Sequence, residues 1–343
     1  MKTYYDRFSW KAYLVFSAAL ALAMLLCVCV GSVSIPLGDT VTAMWNSLWG
    51  MEIPAGISKN IIVNVRLPRV INVALVGAAL SLCGAAMQGL LRNPLADGST
   101  LGVSSGASLG AVLALALGIT IPGTSHGGVM LMAMLFAFVA LAAILGLAYT
   151  LDRSLATNSI ILIGVIFSMF ASSVISLVIS FAGDKVRTIT FWTMGSLAGT
   201  NFGHARILAL ALLVCGGVIL RYGRELNAFA IGEDNARHIG VNVRRVKLTI
   251  MIAVAVLIGV CVSIAGTIGF VGLVVPHMAR MITGPNHKRL LPAAMFSGAI
   301  FLLLADLAAR TILRPIELSI GVVTSLVGAV AFVVIFYRTR KAR

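Results

Sequence analysis

Ten mostly apolar stretches recur along the chain, at about residues 12–31, 70–91, 99–118, 129–150, 160–182, 205–220, 248–265, 268–283, 292–309 and 319–337. A helix that crosses a bilayer needs roughly 20 apolar residues. In lipid, every backbone polar group must find its partner inside a helix or a closed barrel. Repeated runs of this length therefore predict an all-α membrane protein, a polytopic bundle of about ten transmembrane helices. Only 11% of the 343 residues are charged and 59% are hydrophobic, with mean hydropathy +1.03. Soluble domains carry about 25% charged residues, so this composition excludes an ordinary water-soluble fold.

The stretch 248–283 is nearly continuous, and Gly266, Gly269 and Gly272 predict a tight reversal inside it. Without that reversal the count is nine. Charge decides for ten. With both termini cytoplasmic, eighteen of the 26 Lys and Arg residues fall on the inner side and eight on the outer, the bias expected of inner loops. Nine spans would place either the basic tail or the basic N-terminal segment outside. The net charge of +15 is thus a matter of topology. The basic residues lie between apolar runs rather than on one face, so nucleic acid is not an expected partner, whereas membrane lipid is. The apolar part of the first run exceeds the 7–15 residues of a signal peptide and is read as a span. Residues 1–343 form one transmembrane domain, and 223–245 is the longest polar stretch on its inner side. A weak internal echo links VRLPRV (Val65–Val70) with VNVRRV (Val241–Val246). Each precedes an apolar helix, the arrangement of an inverted repeat or of chance.

No enzyme chemistry is visible. The chain has no Gly-Lys pair, hence no phosphate-binding GxxxxGK[ST] loop, and any ATP-driven work must come from a partner. His126, His204, His238, His277 and His287 are scattered, without HExxH or GxSxG. Cys27, Cys29, Cys83, Cys215 and Cys261 lie inside apolar runs without ligand spacing. No catalytic residue, metal site or cofactor is expected. Nearly all acids fall in loops. Asp306 alone sits within a span, with Arg310 four residues on along the same helix face, as a helix-end ion pair. Ion-coupled transporters place ionisable groups near mid-membrane, so this scarcity argues against that class.

Three further features stand out. Gly102, Gly106 and Gly110 recur every four residues, a small-residue face that lets membrane helices approach closely. In the inner loop, Glu233 and Asp234 suit a first helical turn, Arg237 and His238 a last turn, and Gly240 the C′ position. A short cytoplasmic helix is therefore expected. On the outer side Arg66, Arg69 and Arg310, with Arg314, run against the topological bias. They suit either an acidic protein surface or lipid headgroups.

The motifs RLPR (Arg66–Arg69), GAALSLCGAAMQGLLRNPLADGSTLGVSSGASLGA (Gly77–Ala111), AIGEDNARHIGVNV (Ala230–Val243), IGFVGLVVPHMAR (Ile268–Arg280), ADLAAR (Ala305–Arg310) and PIELSIGVVTSLVGA (Pro315–Ala329) follow in order. Together they resemble the type II ABC importer permeases for iron-siderophore, haem and cobalamin complexes. The resemblance implies ten spans, a permease dimer that is homomeric or heteromeric, and a cytoplasmic ABC ATPase dimer. It also implies an extracytoplasmic substrate-binding protein. It assigns receptor docking to Arg66, Arg69 and Arg310, and ATPase coupling to Gly232, Glu233, Asp234, Ala236, Arg237, His238 and Gly240. The cytoplasmic gate falls on Asn93, Leu95, Thr157 and Asn158. A bacterial inner-membrane location and a ferric siderophore cargo follow, with cobalamin, haem or an oxyanion as alternatives. An ion-coupled secondary transporter is the competing class. The family often carries proline where this chain has Ser319 and Val330, which leaves the shape of the last helix open.

Overall fold

In the computed structural model, residues 8–31, 60–121, 127–151 and 157–341 are described, with a few isolated positions between 38 and 49. Asp152, Arg153 and Arg343 lie outside them. Among the described residues, seven helices are long and apolar enough to cross a membrane: α1 (Trp10–Cys29), α2 (Leu67–Leu90, entered through a π-helical Asn60–Arg66), α4 (Gly127–Leu151), α5 (Thr157–Phe181), α7 (Phe202–Arg221), α10 (Val243–Ala265) and α12 (His287–Thr311). Three further apolar helices, α3 (Val103–Leu117), α11 (Val271–Thr283) and α13 (Ile320–Lys341), bring the number to ten. The short helices α6 (Val186–Thr193), α8 (Gly223–Ala230) and α9 (Glu233–His238) complete the set.

The expected reversal near residue 266 is present. Gly266 and Phe270 both adopt positive φ, 67° each, a turn conformation that costs a glycine little. The sequence echo marks real starts: VRLPRV opens α2 and VNVRRV opens α10, and the two helices set out from opposite ends of the bundle. α13 runs unbroken through Val330, with Ser319 just before its first residue.

α2 is the hub, buried along most of its length. It achieves this through glycine crossings. A Cβ at Gly77 would overlap the carbonyl oxygen of Gly298 on α12, and one at Gly84 would overlap that of Gly272 on α11. Backbones meet there with no side chain between them, so dispersion contacts replace the hydrophobic drive that lipid does not supply. The Gly106 and Gly110 face packs in the same way on α4, against Ala140, Phe136 and Met132. Gly102 departs from the expected continuous face. It caps α3 in the left-handed conformation, φ 67°, although it still abuts Ile144 and Gly164.

α3 and α11 are only 15 and 13 residues long, or about 22 and 20 Å, short of the roughly 30 Å hydrocarbon core. Each is preceded by irregular backbone that enters the bundle. The α2–α3 connection buries Ala96 and Leu101 completely, and Gly98 lies against Ile258 in the interior of α10. Irregular backbone at such depth is tolerated where protein buries it or where it lines a cavity; both conditions are met here.

Candidate functional site

α9 has the composition foreseen for it. It spans Glu233–His238, with acids in its first turn, Arg237 and His238 in its last, and Gly240 beyond it at φ 89°. Its anchoring was not legible in the sequence. Glu233 is only partly exposed. Its carboxylate lies 2.7 Å from Nζ of Lys247, a lysine buried in the first turn of α10. It also accepts a hydrogen bond from the Thr157 hydroxyl at 3.0 Å. Ala236 is fully buried beneath α9. Asp234, Asn235, Arg237 and His238 face out, with Asp234 and Arg237 paired at 3.1 Å. Ile231 and Ile239 flank the helix at 61% and 64% exposure. An apolar knob thus stands at each end of a charged turn.

The residues assigned to the gate gather at this same end. A cleft of about 640 Å³ is lined by Arg92, Thr157, Asn158, Gly232 and the outer side of α9. Thr157 therefore touches α9 directly. Asn93 folds its own turn, its side-chain oxygen accepting from the Leu95 amide at 2.9 Å, and Leu95 is exposed. The structure brings Thr157 and Asn158 to Glu233 and Asp234. Asn93 and Leu95 lie in the neighbouring turn, beyond the residues that line the cleft.

Arg66, Arg69 and Arg310 converge at the opposite end, and they point inward. All three are buried. Arg69 donates to Asp306 Oδ1 at 2.9 Å and to Glu317 at 2.8 Å. Arg310 Nε lies 2.9 Å from Asp306 Oδ2. Arg66 donates to the carbonyls of Val28 and Cys29 at 2.8 and 3.0 Å, and Arg310 to that of Cys27 at 3.2 Å. These are terminal carbonyls of α1, left without helical partners at the negative end of its dipole. The cluster is thus an internal clamp that fastens α1 to α2 and α12. The Asp306–Arg310 pair expected from spacing is present, and Arg69 joins it from 237 residues away. Arg314, with Ile312, Leu313 and Ile316, is among the exposed side chains at this end, beside the exposed Pro315 and Glu317.

Between the two ends lies a cavity of about 780 Å³. α5 and α13 form two of its walls, and the starts of the half-length helices α3 and α11 form its floor. Eight hydroxyl side chains line it. Asp97 is the carboxylate among its described lining residues, carried in by the re-entering α2–α3 connection and packed close to Gly272. Reading the acids by their place outside apolar runs missed Asp97. The only available signal was the shortness of the helix that follows it.

A broken-helix bundle, a surface helix at one end and a polar cavity between them are the parts of a transport path, and sequence comparison fixes the lineage. Residues 19–338 match the model of the FecCD transport family. This chain belongs to that family. It is 43% identical over 335 residues to the uncharacterized ABC transporter permease protein YvrB of Bacillus subtilis (strain 168), covering 97% of this chain and 95% of the relative. It is 37% identical to the hemin transport system permease protein HmuU of Yersinia pestis, covering 82% and 84%. Among solved structures, an inward-facing metal-chelate type ABC transporter matches with TM-score 0.83 and 30% identity, over 96% of this chain and 99% of that one. The FecCD-family chain described here is therefore a multi-pass permease in sequence and in fold.

Proposed function

We propose that this chain is the membrane-spanning subunit of a binding-protein-dependent ABC importer in a bacterial inner membrane, and that it carries a ferric siderophore. The observation that carries this reading is α9. It is held rigidly from beneath by Ala236 and the Glu233–Lys247 pair, while Ile231, Ile239 and the charged turn between them face outward. A helix seated in this way transmits a rigid-body motion from an ATPase that grips it. The chain itself has no phosphate loop, so hydrolysis belongs to the partner.

A second permease completes the path. α5 leaves most of its surface uncovered and shows Ser172 and Ser176 to the cavity. An exposed polar face on a membrane helix calls for a protein partner across it. The receptor delivers cargo at the Arg314 end. There Arg66, Arg69 and Arg310 hold the rim in shape, while Arg314 and its apolar neighbours meet the incoming protein.

The test is uptake of a ferric siderophore into vesicles that hold this chain, with and without an ATPase and receptor. Accumulation is expected only in the complete, ATP-supplied system. Sustained accumulation driven by a proton or sodium gradient, with this chain alone, would identify a secondary transporter instead.

A further inference from the structure

We propose that Gln88 and Asn227 are positioning residues of the transport cycle, and that they tie the floor of the cavity to the cytoplasmic helices α8 and α9 through α11 and the start of α12. This rests on the importer reading above. It adds a second mechanical route to the one that runs through Glu233 and Lys247.

The route starts from a break in a helix. Pro276 lies inside α11. It has no N–H to give, so the carbonyl of Gly272, four residues earlier, loses its helical partner. Lipid cannot supply another, and a neighbouring helix must. That neighbour is α2. Gly84 leaves the space into which the Gly272 carbonyl projects. Gln88, one turn further on, supplies the donor: its Nε2 lies 3.4 Å from that oxygen and 3.0 Å from the carbonyl oxygen of Leu273. Gln88 Oε1 accepts in turn from Arg280, in the last turn of α11, at 3.3 Å. One buried amide therefore holds α11 near both of its ends. What it holds in place is the cavity floor, because Gly269 and Gly272 line the cavity and Gly272 packs against Asp97.

The same stretch of α2 receives α12. His287 opens α12 and is buried against Gly89, where a Cβ would overlap the ring. Asn227, on α8, takes its other side. Asn227 Oδ1 accepts from the His287 backbone N–H at 2.8 Å, which fixes how the amide is turned, and it faces Nδ1 at 2.9 Å. Nδ1 must then carry the ring proton. Asn227 Nδ2 donates to Asn286 Oδ1 at 2.9 Å, the oxygen that also caps α12 at the Lys288 N–H. His287 Nε2 is left as a buried acceptor with no partner among the described residues. An unpaired buried acceptor raises the free energy of this arrangement, and a shift of α12 along α2 relieves it. Only Ile231 and Gly232 separate α8 from α9. A force on α9 thus reaches Asn227, then His287 and α11, then Gln88 and the floor. Hydrogen-bond networks and rigid helices carry coupling of this kind.

The experiment reads movement at the floor itself. All five native cysteines are buried. Gly269 lines the cavity, and a Cβ there meets only the Ser325 hydroxyl, at 3.7 Å, so Gly269→Cys places one accessible thiol on the floor. The protein is assembled with its ATPase and receptor in vesicles, and a water-soluble maleimide labels it with and without ATP. With native Gln88 and Asn227 the labelling rate is expected to change about tenfold, as when a state populated at roughly 10% becomes the major one. In Gln88→Met or Asn227→Leu that change should fall below about twofold while ATP is still hydrolysed. Asn227→Asp keeps the oxygen to which His287 donates and should keep the change. Melting temperatures accompany each variant, because lost stability alone lowers the folded fraction without altering the ratio of the two rates. An undiminished response in Gln88→Met or Asn227→Leu would overturn the inference and leave the importer standing. Equal behaviour of Asn227→Leu and Asn227→Asp would do the same, as would a floor that ignores ATP in the hydrolysing assembly with native Gln88 and Asn227. Failure of the permease to bind any ATPase would overturn the importer reading and the inference with it. Should Gln88→Met fail to fold, the two Asn227 variants decide the matter.

Discussion

Glu233, the first residue of the surface helix α9, sits 2.7 Å from the ammonium of Lys247, which is buried in the first turn of the membrane helix α10. The pair joins the surface helix to one that lines the cavity, through Ile258, Cys261 and Val262 further along α10. Removing one partner of a buried ion pair costs about 3–5 kcal/mol, because the other charge is left behind. Glu233 keeps some solvent contact, so the lower end of that range is expected for Glu233→Gln. The combination Glu233→Gln with Lys247→Met should recover much of the loss. Thermal unfolding of the purified permease gives the double-mutant cycle, and strict additivity would show that the pair does not couple.

The arginine clamp yields a ranking. Asp306 serves Arg69 and Arg310 and is almost wholly buried, so Asp306→Asn should destabilise by about 3 kcal/mol or more. Glu317 is a third exposed, and Glu317→Gln should cost about 1 kcal/mol or less. Reversing Arg66, Arg69 and Arg310 together to Glu should abolish folding, not docking alone, because all three are buried. Arg314→Glu is the variant that should weaken receptor binding while the permease stays folded. Equal melting temperatures for the Asp306 and Glu317 variants would argue against the clamp.

Glycine crossings give a contrast within one residue type. Gly84→Ala and Gly77→Ala drive a methyl group into a backbone carbonyl and should cost about 1–3 kcal/mol or more. Gly146 on α4 has open space around it, and Gly146→Ala should be neutral or stabilise by up to about 1 kcal/mol. Expression and thermal stability in one detergent provide the comparison.

Topology is testable with reporter fusions. Gly183, following α5, should read external, and Asn235 on α9 internal. Fusions at Asp152 and Arg343, outside the described residues, are expected to read internal as well. An external reading at Arg343 would remove the ten-span arrangement with both termini inside.

The gate assignment is open to crosslinking. All five native cysteines are buried, so a thiol introduced at exposed Asn158 is the reactive one. Asn158→Cys is expected to crosslink between two permeases in a yield that changes with ATP. A dimeric sample that never crosslinks under any nucleotide condition would place the gate elsewhere.

The order of the ten apolar helices, the reversal at Gly266 and the span of α9 were all set by local sequence. Run length, glycine placement and the charge order of one short turn act over a few residues, and no distant partner is needed to express them. The direction of buried charge was decided by tertiary structure alone. Arg66, Arg69 and Arg310 share an outer position in any ten-span threading. Whether they face out or in depends on Asp306 and on the carbonyls of α1, partners as far as 237 and 283 residues away. Glu233 turned inward for the same reason, since Lys247 waits beneath it. Asp97 lay in a polar gap between apolar runs, and nothing local distinguishes a loop in water from one folded back among helices. That choice is made by the short α3, by Gly98 against Ile258 and by the cavity that receives the acid, contacts that exist only once the bundle has closed around them.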